Sequence, residues 1–251
     1  MKKFIEKIKT GDKALYATGL VHLLLAGLFI ILILIDDRTV NHESVWIKPF
    51  RFAISIFLFT WTYAWISQFY TRRRLAGLLN YLIAGCMFIE IALISMQAFR
   101  GVASHFNIST HFDASVYSIM GAVIGFNAVL IGIHFILFSF FERKGGIYRT
   151  AFIWGMILFL LGNFTGYLMI QNFGAVAGES VAKAGWLITN WKPSAGDFRI
   201  AHFLGLHAIQ ILPIMAFILY RFKKDRRLIH IGGLIYLFAL LYWMGYPLTG
   251  H

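Results

Sequence analysis

The sequence predicts an all-α integral membrane bundle of seven transmembrane helices, and three observations predict it. Of 251 residues, 59% are hydrophobic and only 14% charged, where soluble domains carry about 25% charged residues. The apolar residues gather into seven runs near the roughly 20 residues that span a bilayer core of about 30 Å. The 23 lysines and arginines stand mostly at the ends of those runs. A single soluble core of this size cannot hide 25 Phe, 7 Trp and 11 Tyr, so a soluble enzyme, a disordered chain, a secreted disulfide scaffold and a coiled coil are excluded. The formal charge of +12 reads as membrane topology, and nucleic acid is not an expected partner.

The chain opens with a basic segment, residues 1–13, in which Phe4, Ile5 and Ile8 fall on one side of a short helix and the lysines face headgroups. No cleavage site follows, so the first apolar run is an uncleaved span. The spans are Ala14 to Ile35, Pro49 to Tyr70, Ala76 to Phe99, Ser115 to Phe141, Thr150 to Phe173, Arg199 to Tyr220 and Leu228 to Tyr246. No strand pattern is legible, and helices satisfy their backbone groups within lipid. With seven spans, one side of the membrane receives 16 Lys and Arg and the other 7. The N-terminus is therefore expected in the cytoplasm and the C-terminus outside.

The outer side holds the chemically varied loops: Asp36-Asp37, His42-Glu43, the Arg100–Asp113 segment, and the long loop 172–198 with Trp186 and Trp191. Those tryptophans fit an interfacial aromatic belt or a lid over a cavity. Gly121/Gly125 and Gly162/Gly166 are small-xxx-small pairs that let helices approach, and Pro213 is expected to disturb the sixth span. Cys86 is the sole cysteine, which excludes an intramolecular disulfide and a thiolate metal site. No inverted repeat is visible.

Ionisable groups within a span are functional candidates by default. Counted from the cytoplasmic ends at about 1.5 Å per residue, Glu90 lies about 22 Å deep, His207 and Asn163 about 21 Å, and Asn127 about 24 Å. Gln97, Arg100 and His105 lie further out, as do Arg199 and His202, while Gln210 follows His207 by three residues. His22 and His134 form a second level about 13 Å from the inner side. Histidine is the commonest metal ligand. The preferred expectation is a His-ligated metal or haem b site in the outer half of the bundle serving membrane redox chemistry. His105, His202 and His207 are its ligand candidates, with His22 and His134 as an inner pair. Glu90 is the proton-handling group, and Arg100, Arg199, Lys48 and Arg51 are candidate holders of propionates, a lipid phosphate or a carboxylate substrate. The same histidines serve a competing zinc-dependent lipid hydrolase. A third reading is a proton-coupled transporter or small-molecule-binding protein using Glu90 and His207. Quinone, lipid or a small molecule is the expected partner besides the bilayer.

Bland readings stand beside these. His22 and His134 fit interhelical hydrogen bonding; Asp113 and Asp197 fit helix N-caps; Lys48, Arg51 and Arg199 fit snorkelling. Retinal is excluded, since the seventh span has no lysine.

Three segments, Trp46-Ile-Lys-Pro-Phe-Arg-Phe52, Arg100-Gly-Val-Ala-Ser-His-Phe-Asn107 and Gly196-Asp-Phe-Arg-Ile-Ala-His-Phe-Leu-Gly-Leu-His-Ala-Ile-Gln210, resemble those of a group of bacterial multi-pass membrane proteins to which no activity is attached. The likeness covers the second to sixth spans, and the chain as a whole reads as one domain over residues 1–251 in a bacterial-type cytoplasmic membrane. The loop Gly174 to Gly185 departs from that group's Gly/Pro-rich form. A looser similarity links the chain to seven-span zinc hydrolases of the ceramidase and adiponectin-receptor type, but their His-x3-His in the last span is missing here.

Overall fold

The computed structural model describes residues 2–142, 146–177, 189–222 and 225–249. Trp186, Lys183, Arg143, Lys144, Lys223, Lys224 and His251 lie outside the described residues. The chain gathers into two compact units, Met1–His134 and Phe135–His251.

The first unit holds α1 (Lys2–Gly11), α2 (Lys13–Ile35), a hairpin of β1 (Thr39–Val40) and β2 (Glu43–Ser44), α3 (Ile47–Ser67), α4 (Arg73–Phe99) and most of α5 (His111–Ile136). α1 is amphipathic, burying Ile8 and exposing Lys7 and Lys9. A Cβ on Gly11 would collide with the Ala64 carbonyl of α3, so glycine permits that close approach. Asp12 caps α2, its Oδ1 accepting from the Leu15 amide at 2.9 Å. α2 and α3 pack where Gly19 faces Trp61, whose Nε1 donates to the Tyr16 carbonyl at 3.1 Å.

The hairpin is a difference from the sequence reading. Its two-residue turn, Asn41-His42, has positive φ at both positions (53° and 66°), the geometry that matches strand twist. Two strands of two residues leave no alternation to read.

Two long-range bonds set the direction of the helices. Asn80 Nδ2 donates to Asp12 Oδ2 at 2.8 Å, which joins the N-terminal ends of α2 and α4. Arg38 Nη1 donates to the Phe99 carbonyl at 2.9 Å, which joins their C-terminal ends. α2 and α4 are therefore parallel, and α3 returns the chain along their length.

The second unit holds the π-helical turn Leu137–Phe141 that ends α5, then α6 (Gly146–Gln171), α7 (Phe198–Arg221) and α8 (Arg227–Gly245). α6 and α7 cross at glycines: a Cβ on Gly162 would sit 2.8 Å from Gly205 Cα, and one on Gly155 2.8 Å from Ile209 Cα. Of the two small-residue pairs, Gly121 and Gly125 meet nothing within 4 Å, whereas Gly162 packs on Gly205 and Gly166 on His202. Pro213 is contained within α7 without ending it. The core of this unit is Leu158, Ala208, Leu212, Ile229 and Leu240 with their neighbours.

Among the described residues, six helices are long and apolar enough to cross a membrane: α2, α4, α5 with its π turn, α6, α7 and α8. Their exposed faces carry large apolar residues such as Leu34, Phe140 and Phe238, as lipid contact demands. α3 is less apolar, because it carries Lys48 and Arg51 near one end and Thr60, Thr62 and Ser67 toward the other.

Candidate functional site

The first unit buries a run of polar groups along α3, α4 and α5. Period decides which residues face inward: Thr60, Tyr63 and Ser67 on α3, and Asn80, Glu90 and Gln97 on α4, repeat at helical spacing and are all buried.

At the end that carries Asp12, Asn80 Nδ2 donates to Ser67 Oγ at 2.8 Å as well as to Asp12. Nearby in sequence to Ser67, Tyr70 meets His134: the Tyr70 hydroxyl lies 2.8 Å from His134 Nδ1 and donates to the His134 carbonyl at 3.3 Å. The Tyr63 ring lies edge-on to His134 at 5.4 Å.

At the opposite end, Arg100, Gln97, Asp113 and Thr110 form a mutually bonded group. Arg100 Nη1 bonds Gln97 Oε1 and is 2.5 Å from Asp113 Oδ1. Gln97 Nε2 donates to the same oxygen at 2.9 Å, and Thr110 Oγ1 donates to Asp113 Oδ2 at 2.6 Å. Arg100 also stacks on Phe112. The anion that Arg100 holds here is thus the protein's own Asp113.

Between these ends, Glu90 is 1% exposed, and among the described residues neither carboxyl oxygen has a hydrogen-bond partner. Lys48, at the start of α3, is close enough to act on it electrostatically, and Glu90 acts likewise on Cys86. Asn127 Oδ1, Tyr63 Oη, Asn80 Oδ1 and His134 Nε2 are also buried without a hydrogen-bond partner among the described residues. His22 donates from Nδ1 to the Thr18 carbonyl at 2.7 Å and packs on Phe88. The Met87 backbone also interacts with the His22 ring. The ring neighbours of His22 and of His134 are different residues.

The remaining predicted residues are placed as follows. His105 packs against Phe52, Phe106 and Tyr117, with Nδ1 3.1 Å from Ser104 Oγ. It lines a shallow depression of about 460 Å3 with Asn41, Gly101 and Asn107. Arg51 pairs with Glu43 at 2.8 Å. In the second unit, His202 Nδ1 donates to the Gly162 carbonyl at 2.8 Å, and the His207 ring lies tilted against Phe203 with centroids 4.2 Å apart. Arg199 pairs with Asp197 at 2.6 Å and bonds the Asn190 carbonyl, while Asp197 caps α7. Asn163 donates to the Phe159 carbonyl at 2.9 Å. Gln210, with its amide nitrogen turned inward along α7, reaches the His207 carbonyl at 3.0 Å.

Tyr63, Tyr70, Asn80 and Ser67 are members of the buried set that the depth argument missed. The signal for three of them was present as the i, i+3, i+4 recurrence of polar residues on the second span and the inner turns of the third. Among the described residues, no three His, Cys, Asp or Glu side chains are grouped to hold a metal ion. The chain matches no protein-family model, no curated protein and no solved structure.

Proposed function

We propose that the protein is a seven-span protein of a bacterial-type cytoplasmic membrane, N-terminus inside and C-terminus outside, that takes up and releases a proton at Glu90 while carrying or binding a small molecule. One observation carries the reading: a carboxyl group in the interior of the first unit with both oxygens unpartnered. A lone carboxylate withdrawn from water costs far more than a hydrogen bond returns, so Glu90 needs a proton or a cation for company. Lys48 is the cation in electrostatic reach, and it stands at the end of α3, where a long side chain can exchange between carboxylate and headgroup. Infrared difference spectra of the protein in vesicles, taken across a pH titration, test this. The carbonyl stretch of a buried carboxylic acid is expected, and Glu90→Gln removes it. An unchanged band in that variant overturns the reading.

A second reading, redox chemistry at a histidine-ligated haem, is favoured by ring orientation. His22 and His202 each donate from Nδ1 to a backbone carbonyl, and His134 Nδ1 meets Tyr70. A ring fixed through Nδ1 presents its Nε2 lone pair to a metal. Purified protein would show a Soret band that His202→Ala and His134→Ala each reduce. A spectrum without that band ends the haem reading, and stoichiometric zinc by elemental analysis would transfer support to the lipid hydrolase.

A further inference from the structure

Resting on the reading of Glu90 as a proton site, we infer that the first unit contains a column of bound water that connects Glu90 to the membrane face carrying Asp12. The inference rests on where unsatisfied polar atoms lie and where satisfied ones lie.

Buried polar atoms are nearly always hydrogen-bonded, and internal water supplies the partner where protein does not. In this unit the unpartnered atoms are distributed along the membrane axis. Asn80 Oδ1 is beside the Asp12 end, since the other atom of the same amide bonds Asp12 and Ser67. His134 Nε2 belongs to the ring that Tyr70 holds, at the C-terminal end of α5. Tyr63 Oη is one turn, about 6 Å, along α3 from Ser67. Asn127 Oδ1 is seven residues, about 10 Å, along α5 from His134. Glu90 is ten residues, about 15 Å, along α4 from Asn80, a rise that on the order of five waters at hydrogen-bond spacing would cover. Each of these side chains is buried.

The opposite end carries a directly bonded cluster. Gln97, Arg100, Thr110 and Asp113 satisfy one another directly, and Arg38 ties α2 to the last carbonyl of α4. Water placed there would have to displace charge-assisted bonds, which are about twice as strong as neutral ones.

The chemistry required is proton hopping. A proton from bulk water at the Asp12 end adds to the first water of the column. Each water gives up one O–H bond as it gains another, and the last transfer forms the O–H bond of Glu90. Release runs the same sequence backwards, and no electron moves. Tyr63 and His134 contribute positions at which the column is anchored.

Hydrogen–deuterium exchange of the Glu90 acid band in vesicles, followed by rapid-mixing infrared spectroscopy, tests the column. Glu90→Gln identifies the band. Tyr63→Phe, which removes one oxygen from a fully buried ring, is expected to slow exchange by about tenfold or more, the rate effect of about 1.4 kcal/mol, with the band unshifted. Tyr236→Phe, whose hydroxyl donates to the Leu204 carbonyl in the second unit, should leave the rate unchanged. Equal rates in Tyr63→Phe and wild type, or equal slowing in the two tyrosine variants, overturn the column while Glu90 keeps its proton. Absence of the band in wild type overturns the proton site itself.

Discussion

Asp36 stands just beyond α2 and gathers two partners. Arg38 approaches it through Nε and Nη2, the latter at 2.7 Å, and Trp46 Nε1 donates to Oδ2 at 2.7 Å. Trp46 in turn stacks on Phe29 of α2 at 5.9 Å. The carboxylate therefore ties the hairpin and the start of α3 to the end of α2. Its bond to Arg38, then that to Trp46, holds its pKa well below the ordinary aspartate value, and Asp36 reciprocally raises that of Arg38. A carboxylate depressed in the folded state contributes stability that is fully present above the unfolded value, about 4, and is lost as pH falls below it. Acidification from about pH 5 downward should thus loosen this corner. The readout is a change in tryptophan emission that Trp46→Phe abolishes, and Asp36→Asn should show the acid form already at neutral pH. Superimposable titrations of Asp36→Asn and wild type would show that the corner is held by packing alone. None of this was legible in the dipeptide Asp36-Asp37, because it depends on a φ-positive turn that brings Trp46 back ten residues later. Glu90 was legible, because a carboxylate within an apolar run stands out without reference to any neighbour. The arginines were only half legible. Their position at helix ends was plain, but that Arg100, Arg199 and Arg51 each face an internal carboxylate depends on loop geometry that charge spacing does not encode.

At the scale of elements, apolar length and helical period carry almost the whole architecture. The ends of the seven long helices fall within about four residues of the apolar runs, the usual uncertainty of a frayed terminus or a charged last turn. Packing is less legible than existence. Gly121-x3-Gly125 and Gly162-x3-Gly166 are equivalent as patterns, yet only the second meets another helix, because Gly205 on α7 supplies the complementary gap. A small residue permits close approach, and the partner surface decides whether it happens. The π-helical turn Leu137–Phe141 has a comparable origin. Arg149 of α6 donates to the carbonyls of Ser139 and Glu142, drawing out backbone groups that a continuing α-helix leaves exposed. α3 is the instructive case. Its apolarity is lowered by the residues it turns inward, Thr60, Tyr63 and Ser67, which bond within the first unit or border its unpartnered atoms. An element can thus be poorly apolar in composition and still present an apolar outer face, with Leu58 among its exposed residues.

At the scale of the whole chain, α3 decides the parity of the topology. Six helices pass a simple apolarity requirement, and six crossings would put both termini on one face. Two observations support the proposed seventh crossing. The Asp12–Asn80 and Arg38–Phe99 bonds make α2 and α4 parallel, so if both cross the bilayer the chain between them must cross back, and α3 is the helix that does so. The charge distribution agrees. With α3 crossing, Arg72, Arg73 and Arg74 join the N-terminal lysines on the basic face, whereas without it they fall on the opposite face and every later loop inverts. The cost of a half-polar helix in lipid is small here, since its polar groups face the unit interior and Lys48 and Arg51 lie in the first turns, within snorkelling reach of the headgroups. Reporter fusions at the two termini read this directly. A fluorescent protein that matures only in the cytoplasm should glow at the N-terminus and stay dark at the C-terminus, and alkaline phosphatase, active only outside, should give the reverse. Removal of α3 should return both reporters to the same face. Matching signals at the two ends of the chain would mean that α3 does not cross.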